Sequence, residues 1–436
     1  MDKAPKVAIV FPYFRTRSPM EMLFPPLGAA SLAAQLRRLS LEVKIIDCTF
    51  STWRQVQNAL RDYQPEIVGV YCMITLTRNT FRFARWVRSG LPGSLLVAGG
   101  PLATLYPDRF AADFDAVFRG ESDLSFPHFC RDFFNQNATR STLEKLPLHT
   151  YAGLYLRNGG SAVDNPVVHH SRQEIAGFPL PDRSGFDHSS YQREWMRRDG
   201  TKTTSILTTL GCPFNCDFCS KPVFGNVFRR RNLDTVFEEI EQIRSLGYDS
   251  LWIADDSFTL DLSFLEQFCE RIAGRKIAWS CLSRATGIDR DIAERMRKAG
   301  CRRVYLGLET GSPETLKRMN KRATLDDGIR AVNEFHAAGI EVAAFFIVGY
   351  PGETESTVEE TFRFALSLPL DDISFNVPFP LPGSALFDRV SGVDPSKDWR
   401  MENDVSFVYR SEFDPAWLRR GINRTMRAFK EKKKKD

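Results

Sequence analysis

Three cysteines on one short loop constrain this chain more than any other feature. Cys212, Cys216 and Cys219 have the spacing C-x3-C-x2-C and directly follow a strand-like stretch at 204–210. Three thiolates on a tight loop suit three corners of an iron–sulfur cube, and the fourth iron then stays open to a small molecule. Structural zinc is the rival interpretation, but zinc prefers four ligands and the loop contains no fourth Cys or His. Three unrelated core cysteines are the remaining alternative.

The composition indicates a large enzyme of a reducing compartment. The chain has 436 residues, of which 43% are hydrophobic and 26% are charged, so we expect two or three domains with substantial cores. We expect no signal peptide and no membrane span, because no apolar run is long enough. The remaining cysteines have no disulfide-framework spacing, which favours the cytoplasm, where an oxygen-sensitive cluster also fits.

The C-terminal tail is basic. The formal net charge is +5, and the tail 431–436 supplies +2 of it, four Lys minus two acids. The lysines from Lys432 to Lys435 suit weak contact with an anionic membrane surface or with nucleic acid. A solvated, frayed terminus is the alternative. For the chain as a whole we expect no nucleic-acid partner.

Apolar runs alternate with helical patterns in the first third of the chain. Strand-like runs lie at 7–11, 43–47, 67–71, 95–98 and 116–118. The helical patterns between them, such as 27–39, predict an α/β domain with a doubly wound parallel sheet. Such sheets bind ligands at the carboxyl ends of their strands, near the switch point.

The alternation of strands and helices resumes after a stretch rich in Pro, Gly and polar residues. That stretch predicts a linker, in which His169 and His170 are expected at the surface. Six strand–helix repeats follow, which indicate an open, partial (β/α)6 barrel of parallel strands. The expected domains are 1–140, a linker at 141–200, a barrel at 201–385 and a helical C-terminal segment with the basic tail at 386–436.

Polar side chains follow successive strands of the predicted barrel. They are Asp255-Asp256, Ser283-Arg284, Glu309-Thr310-Gly311 and the run 346–353. The carboxyl ends of parallel strands share one edge, so we expect these residues near the cysteine loop. Carboxylates suit an ammonium group or ribose hydroxyls, and a guanidinium suits a carboxylate. A helix N-cap or a surface ion pair is the alternative role for any single carboxylate.

These motifs resemble those of the radical S-adenosylmethionine (SAM) enzymes, in which SAM chelates the open iron of a 4Fe–4S cluster. The resemblance implies that Cys212, Cys216 and Cys219 bind the cluster. It also implies that Arg284 binds the SAM carboxylate and that Asp256 and Glu309 bind its amino or ribose groups. Phe218 and the run Ile347–Gly349 are expected beside the adenine. The SAM-binding residues expected on this basis are Phe218, Asp256, Ser283, Arg284, Glu309, Ile347 and Gly349.

The first domain resembles the cobalamin-binding domain that precedes many radical SAM barrels. The runs 24–34, 43–47, 99–104 and 115–121 match that family in order and spacing. The resemblance implies that cobalamin binds at Pro26, Leu27, Gly28, Thr75, Leu76, Thr77, Gly99, Gly100, Pro101, Arg119, Gly120 and Glu121. The chain departs from the family pattern because it has no D-x-H-x-x-G motif and no histidine in its first 120 residues. We therefore expect cobalt without a histidine below it, and loss of cobalamin is the alternative.

Three functions follow from these interpretations. The resemblance favours a cobalamin-dependent radical SAM methyltransferase that methylates an unactivated carbon through a 5′-deoxyadenosyl radical and methylcobalamin. The alternative is a radical SAM cyclase, oxidase or carbon–carbon coupling enzyme without methyl transfer, because tetrapyrrole cyclases share the domain order. A non-enzymatic sensor is the third. For the enzyme, the resemblance implies a small-molecule or lipid-like substrate and an external electron donor of the flavodoxin or ferredoxin type.

Overall fold

The computed structural model describes residues 5–15, 23–158, 161–394 and 405–434. The chain divides into two units: Met1–Ser205 with Pro222–Tyr248, and Ile206–Lys221 with Asp249–Asp436. The chain thus leaves the first unit, forms the cysteine loop in the second, and returns to the first for one further segment. Each unit has its own sheet.

The first unit is built on a seven-stranded sheet. Its strands are β1 (Lys6–Phe11), β2 (Glu42–Asp47), β3 (Ile67–Tyr71), β4 (Leu95–Gly99), β5 (Ala116–Phe118), β6 (Leu154–Asn158) and β7 (Ser161–Asp164). They lie in the order β2-β1-β3-β4-β5-β6-β7, and the pairs from β2 to β5 are parallel. The chain passes from β1 to β2 on one side and returns to β3 on the other. The switch point therefore lies between β1 and β3, and the predicted doubly wound sheet is confirmed.

Helices cover both faces of this sheet, because its strands are apolar on both sides. In β1, Val7 and Ile9 belong to one hydrophobic core, whereas Ala8 and Val10 belong to another. The helices of the first unit are α1 (Leu27–Arg38), α2 (Trp53–Tyr63), α3 (Thr77–Gly90), α4 (Pro101–Leu105), α5 (Pro107–Ala111), α6 (Ser125–Asn135), α7 (Arg172–Ala176), α8 (His188–Asp199) and α9 (Leu233–Ser245).

Residues 141–200, predicted as a linker, are part of the first unit. β6 and β7 extend the sheet beyond β5 as antiparallel strands. On α8, the hydroxyl of Tyr191 lies 2.7 Å from Oδ2 of Asp47 and 2.9 Å from Oγ1 of Thr49, at the end of β2. The missed sequence signal is the Gly159-Gly160 pair between two strand-like runs, which is typical of a hairpin. Those two glycines lie outside the described residues.

The second unit is built on a six-stranded sheet in the order β15-β14-β13-β12-β11-β8. The remaining strands of the chain are β8 (Thr203–Ile206), β9 (Thr209–Leu210), β10 (Arg229–Arg230), β11 (Ser250–Ile253), β12 (Ala278–Ser283), β13 (Cys301–Glu309), β14 (Glu341–Ile347) and β15 (Asp372–Asn376). Of these, β9 and β10 are outside the six-stranded sheet, and β10 belongs to the first unit. The pairs from β11 to β15 are parallel. At the end of β8, the carbonyl of Ile206 accepts a hydrogen bond from the N–H of Ala254. The predicted six-stranded α/β arrangement is therefore confirmed.

Helices follow the strands of the second unit. They are α10 (Leu262–Ile272), α11 (Arg290–Lys298), α12 (Pro313–Arg318), α13 (Leu325–Ala337), α14 (Glu355–Ser367), α15 (Ala385–Arg389) and α16 (Pro415–Lys432). The last two lie in the C-terminal segment that was expected to be helical. Within the described ranges, none of the helices is both long and apolar enough to cross a membrane.

The basic tail continues α16 and is tied to the second unit. The Nζ atom of Lys432 donates to the carbonyls of Leu366 and Leu368, each over 2.9 Å. Lys433 pairs with Asp371 over 2.8 Å. Two of the four lysines that were considered for membrane contact therefore bind the protein itself, whereas Lys435 lies outside the described residues.

Candidate cluster, SAM and cobalamin sites

The cysteine loop follows β9 at the carboxyl edge of the second sheet. Cys216 is buried, Cys212 and Cys219 are partly exposed, and all three thiols are free. The loop is closed by a hydrogen bond from the N–H of Cys219 to the carbonyl of Cys216, over 3.0 Å. Lys221 donates to the carbonyls of Cys212 and Phe214. These contacts present three unpaired thiols on one braced loop, a donor set that suits an iron–sulfur cluster.

The protonation of these thiols is coupled to metal binding. Burial raises the pKa of the Cys219 thiol to about 11, and the charge of Lys221 opposes that rise. Thiolate is the form that binds metal, so loading of the loop must release protons. In the described part of the chain, no three His, Cys, Asp or Glu side chains are placed to hold a metal ion between them. An iron–sulfur cluster does not need three side chains around one ion, because it binds each thiolate at a separate iron.

Arg284, at the end of β12, is buried beside the cysteine loop. Its Nη1 atom donates to Sγ of Cys216 over 3.5 Å, and its Nη2 atom donates to the carbonyl of Lys321. The guanidinium carbon lies 3.8 Å from the ring centroid of Phe214. Its Nε atom is buried and has no hydrogen-bond partner among the described residues. One donor thus remains for an anionic group, as the expected SAM carboxylate would require.

The neighbouring Ser283 is less available to a ligand. Its Oγ atom lies 2.6 Å from Oγ1 of Thr259 and donates to the carbonyl of Arg284 over 2.8 Å. Both contacts are buried. The structure thus gives the Ser283 hydroxyl a role in shaping the strand end.

Glu309, at the end of β13, forms a buried ion pair that the sequence analysis missed. Its carboxylate pairs with Lys321, and each side chain is only 8% exposed. A Cβ atom at Gly307 would lie 2.4 Å from Oε1 of Glu309 and 2.9 Å from Nζ of Lys321, so glycine leaves room for the pair. Lys321 also lies 5.9 Å from the ring centroid of Phe218. It connects two expected SAM residues, and no local motif in the sequence marks it.

The two aspartates after β11 have different environments. Asp255 is fully buried and accepts hydrogen bonds from the N–H and hydroxyl of Thr208 and from the hydroxyl of Thr209. Burial raises its pKa to about 6. Asp256 is exposed, and its charge raises the pKa of Cys219. Asp255 therefore braces the strand end, and Asp256 is the aspartate available to a ligand near the cysteine loop.

The residues expected beside adenine lie around a small hydrophobic core. Phe218 and Ile347 pack against its buried members, Met319, Tyr350 and Leu386. Gly349 has a φ of +77°, and a Cβ atom there would lie 2.8 Å from Cδ1 of Leu418. This turn therefore requires glycine. The structure brings Phe218 and Ile347 into one cluster and places Gly349 against the C-terminal helix α16.

Backbone space is available at the carboxyl edge of the first sheet. A Cβ atom at Gly28 would meet no atom within 4 Å, and one at Gly99 would meet only the carbonyl of Phe118, at 3.8 Å. Thr75 is exposed. Pro26 precedes α1, Leu27 begins it, and Pro101 begins α4. These positions form an open edge near the switch point, which suits a broad planar ligand such as cobalamin.

Other residues expected to bind cobalamin serve the fold. Leu76 is buried, and Thr77 is buried with its hydroxyl donating to the carbonyl of Ile74 over 2.7 Å. Gly100 has a φ of +97°, and a Cβ atom there would lie 2.7 Å from the carbonyl oxygen of Cys72. At Gly120, with a φ of +67°, it would lie 2.3 Å from Cγ1 of Val167. These two glycines are required by the backbone, whatever binds nearby.

The charged residues of the fifth loop are engaged within the first unit. Arg119 pairs with Asp164 and donates to the carbonyl of Asn165, which ties β5 to β7. Glu121 is buried and pairs with Arg229 over 2.6 Å. Neither side chain is free in this structure, so any contribution of theirs to cobalamin binding is indirect.

The prediction that His169 and His170 lie at the surface is wrong for His170. His170 is 7% exposed, and its N–H donates to Oε2 of Glu121 over 3.2 Å. His169 is only partly exposed, and its Nδ1 atom lies 2.9 Å from Oε1 of Glu121. The partner is 48 residues away in the chain, and sequence spacing therefore does not reveal it.

Comparison with known proteins agrees with this division of the chain. The family model of the B12 binding domain matches residues 19–129, and that of the Radical SAM superfamily matches residues 206–365. An uncharacterized methyltransferase of Pyrococcus horikoshii is 30% identical over 373 residues, which cover 84% of this chain and 78% of that protein. The chain belongs to the radical SAM enzymes that carry a B12-binding domain.

Two further matches concern this radical SAM family. An anaerobic magnesium-protoporphyrin IX monomethyl ester cyclase of Rubrivivax gelatinosus is 32% identical, over 89% of this chain and 70% of the cyclase. TsrM of Kitasatospora setae, a radical SAM methyltransferase solved with cobalamin and a 4Fe–4S cluster, has a TM-score of 0.72. That match covers 88% of this chain and 74% of TsrM at 19% identity, so it concerns the fold.

Proposed function

We propose that this protein is a cobalamin-dependent radical SAM methyltransferase that methylates an unactivated carbon of a small molecule. The observation that carries the proposal is the presence of two candidate cofactor sites in one chain, each at the carboxyl edge of a parallel sheet. One carries three free thiols beside a buried guanidinium with a spare donor. The other is an open parallel edge at a switch point, where Gly28 and Gly99 leave space for a ligand. The 30% identity to a protein named as a methyltransferase supports this choice.

The chain's own residues would bind and orient the cofactors. Cys212, Cys216 and Cys219 would hold the cluster, and Arg284 and Asp256 would bind the carboxylate and the amino or ribose groups of SAM. When bound, the cluster and SAM would supply a radical that removes hydrogen from the substrate, and cobalamin would supply the methyl group. The Glu309–Lys321 pair would place Phe218 beside the adenine.

The open edge of the first sheet would bind cobalamin through backbone and small side chains. Gly28, Thr75 and Gly99 are the positions with free space or exposure. Leu76, Thr77, Gly100 and Gly120 would shape that edge from within. With no histidine in residues 1–120, the cobalt would have no ligand from a D-x-H-x-x-G loop.

The proposed partners are a small-molecule or lipid-like substrate and a low-potential electron donor of the flavodoxin or ferredoxin type. A reducing, cytoplasmic environment would keep all nine cysteines reduced, both the three of the cysteine loop and the six others. A row of three aromatic rings on the second sheet would suit an apolar substrate. Trp252, Tyr305 and Phe345 are only partly buried. The ring centroids of Trp252 and Tyr305 are 5.0 Å apart, and those of Tyr305 and Phe345 are 5.9 Å apart.

A radical reaction without methyl transfer is the second candidate. It is favoured by the 32% identity to a protein named as an anaerobic cyclase. Product analysis separates the two functions. The protein would be reconstituted anaerobically with iron, sulfide and cobalamin, and then supplied with SAM and a strong reductant.

Methyl transfer predicts S-adenosylhomocysteine together with 5′-deoxyadenosine. Formation of 5′-deoxyadenosine alone, with candidate substrates present, would favour the cyclase, oxidase or coupling function. No turnover of SAM by protein that carries its cluster would favour the sensor and would contradict both enzymatic proposals.

A further inference from the structure

Asp217 lies inside the cysteine loop, and both its backbone and its side chain contact other elements of the second unit. It directly follows Cys216 and precedes Phe218. Its N–H donates to the carbonyl of Met319, and its carbonyl accepts from the N–H of Leu386, each over 2.9 Å. The backbone between two of the three loop cysteines is therefore attached to α15 and to the segment after α12.

The carboxylate of Asp217 has two partners from other elements. The Tyr350 hydroxyl, in the loop after β14, donates to Oδ2 of Asp217. Arg389, at the end of α15, forms an ion pair with the same carboxylate, and its Nη2 atom lies 3.5 Å from the Tyr350 hydroxyl. The three polar groups thus form one network, and only one of its members is on the cysteine loop.

The carboxylate end of this network is largely shielded from water, whereas its guanidinium end is not. The Asp217 side chain is 12% exposed, and Tyr350, Met319 and Leu386 are fully buried, but the Arg389 side chain is 43% exposed. Charges in such surroundings interact more strongly than charges in water. The reduction potential of an iron–sulfur cluster depends on nearby charge, on hydrogen bonds and on exposure to solvent. A carboxylate next to a cluster ligand opposes the addition of an electron, and a paired guanidinium offsets that effect.

We propose that Asp217 and Arg389 form a positioning pair that holds the cysteine loop in place and sets the reduction potential of its cluster. The inference rests on the proposed function, because it assumes the cluster. Asp217 anchors the loop between Cys216 and Cys219, and Arg389 partly offsets the charge of its carboxylate. α15 therefore supports the cysteine loop through the backbone of Leu386 and the side chain of Arg389.

The test compares midpoint potentials of the reconstituted cluster in charge variants. The electron is supplied by titanium(III) citrate through mediators, and the one-electron reduction is followed by electron paramagnetic resonance. Asp217→Asn should shift the midpoint to a more positive value, because a negative charge is removed. Arg389→Gln should shift it to a more negative value, because the charge of Asp217 is no longer offset. The double variant should lie close to the wild type.

Matched controls separate this electrostatic role from a purely structural one. Arg389→Lys keeps the charge and should keep the potential. Arg424→Gln removes the same charge from an ion pair with Glu359 that joins α16 to α14, and it should leave the potential unchanged. Iron content and thermal unfolding of the metal-free protein are measured in parallel, and loss of the anchor should lower cluster affinity by about 10- to 100-fold.

The outcomes are distinct. Shifts of opposite sign support the inference, whereas shifts of the same sign, or none, would overturn it while leaving the proposed function intact. If Asp217→Asn does not fold, the comparison of Arg389→Gln with Arg389→Lys carries the test, because only the former changes the charge. A wild-type protein that binds no cluster would refute the proposed function and the inference together.

Discussion

Arg284 donates a hydrogen bond from Nη1 to the Sγ atom of Cys216 over 3.5 Å. The residue expected to bind SAM is therefore also in contact with an expected cluster ligand. Its buried Nε atom, which has no partner among the described residues, is the donor left for a ligand. One guanidinium thus connects the two halves of the candidate site.

Removal of this guanidinium should weaken SAM binding. Arg284→Ala should cost about 1.5–3 kcal/mol of SAM affinity, the usual scale for a hydrogen bond to a charged group. Arg284→Lys should restore only part of it, because lysine lacks the forked geometry. Equilibrium binding of SAM to cluster-loaded protein measures both. Unchanged affinity in Arg284→Ala, with normal iron content, would remove this residue from the SAM site.

Each loop cysteine should be essential for SAM cleavage. Cys212→Ala, Cys216→Ala and Cys219→Ala should each abolish formation of 5′-deoxyadenosine, because each removes a thiolate from one iron. Cys269→Ala and Cys301→Ala are the matched controls. Burial raises the pKa of both thiols, which favours inert protonated side chains, and both variants should retain cleavage. Full cleavage by any loop variant would contradict the cluster assignment.

Gly99 provides a selective test of the cobalamin site. A Cβ atom fits at Gly99, so Gly99→Leu should fold normally but block a corrin ring that lies across the edge. Cobalamin binding should be lost while iron content and cleavage of SAM persist. Gly100→Ala is a poor probe, because the positive-φ backbone of Gly100 would cost alanine about 1–3 kcal/mol and the new methyl group would approach Cys72. Normal cobalamin content in Gly99→Leu would contradict this location.

Cobalt coordination can be tested on the same preparations. Electron paramagnetic resonance of the cob(II)alamin form should show no splitting from a histidine nitrogen, because the chain has no D-x-H-x-x-G loop to deliver one. Splitting by an axial nitrogen would contradict this prediction. Failure to bind any corrinoid would contradict the role of the first unit and would favour the second candidate function.

Glu353 should make the stability of the metal-free protein depend on pH. Burial raises its pKa from 4.5 to about 7 in the folded state, although the N–H of Tyr350 donates to it. The folded state therefore holds the proton more tightly than the unfolded state. The resulting stabilisation is complete below pH 4.5 and is lost as the pH rises through 7, a change on the order of 3 kcal/mol.

Glu353→Gln should remove this dependence, because glutamine does not titrate. Denaturant unfolding of both proteins between pH 4.5 and 8 gives the difference in free energy at each pH. That difference should change steadily up to pH 7 and then level off. Parallel curves for the two proteins would show that Glu353 keeps an ordinary pKa.

Periodicity along the chain was sufficient to predict the parallel strands of both sheets, but not the antiparallel strands β6 and β7. In β1, successive residues alternate between the two hydrophobic cores, and β3 spans the run 67–71 that was predicted from its apolar residues. The cysteine spacing likewise placed the candidate cluster loop, because all three candidate ligands come from eight consecutive residues, 212–219. Local patterns of this kind can be recognised without knowing which distant residues they contact.

The sequence by itself thus determined the fold class, the order of the two domains and the position of the cysteine loop, since each depends on neighbours in the chain. Tertiary structure alone decided which charged groups meet. Lys321 pairs with Glu309, Arg229 with Glu121 across 108 residues, and Arg389 with Asp217. A buried charge needs a partner, but nothing in the local sequence says which distant residue supplies it. The partners were set by the folding of the chain, which brought separate strand ends, loops and helices together.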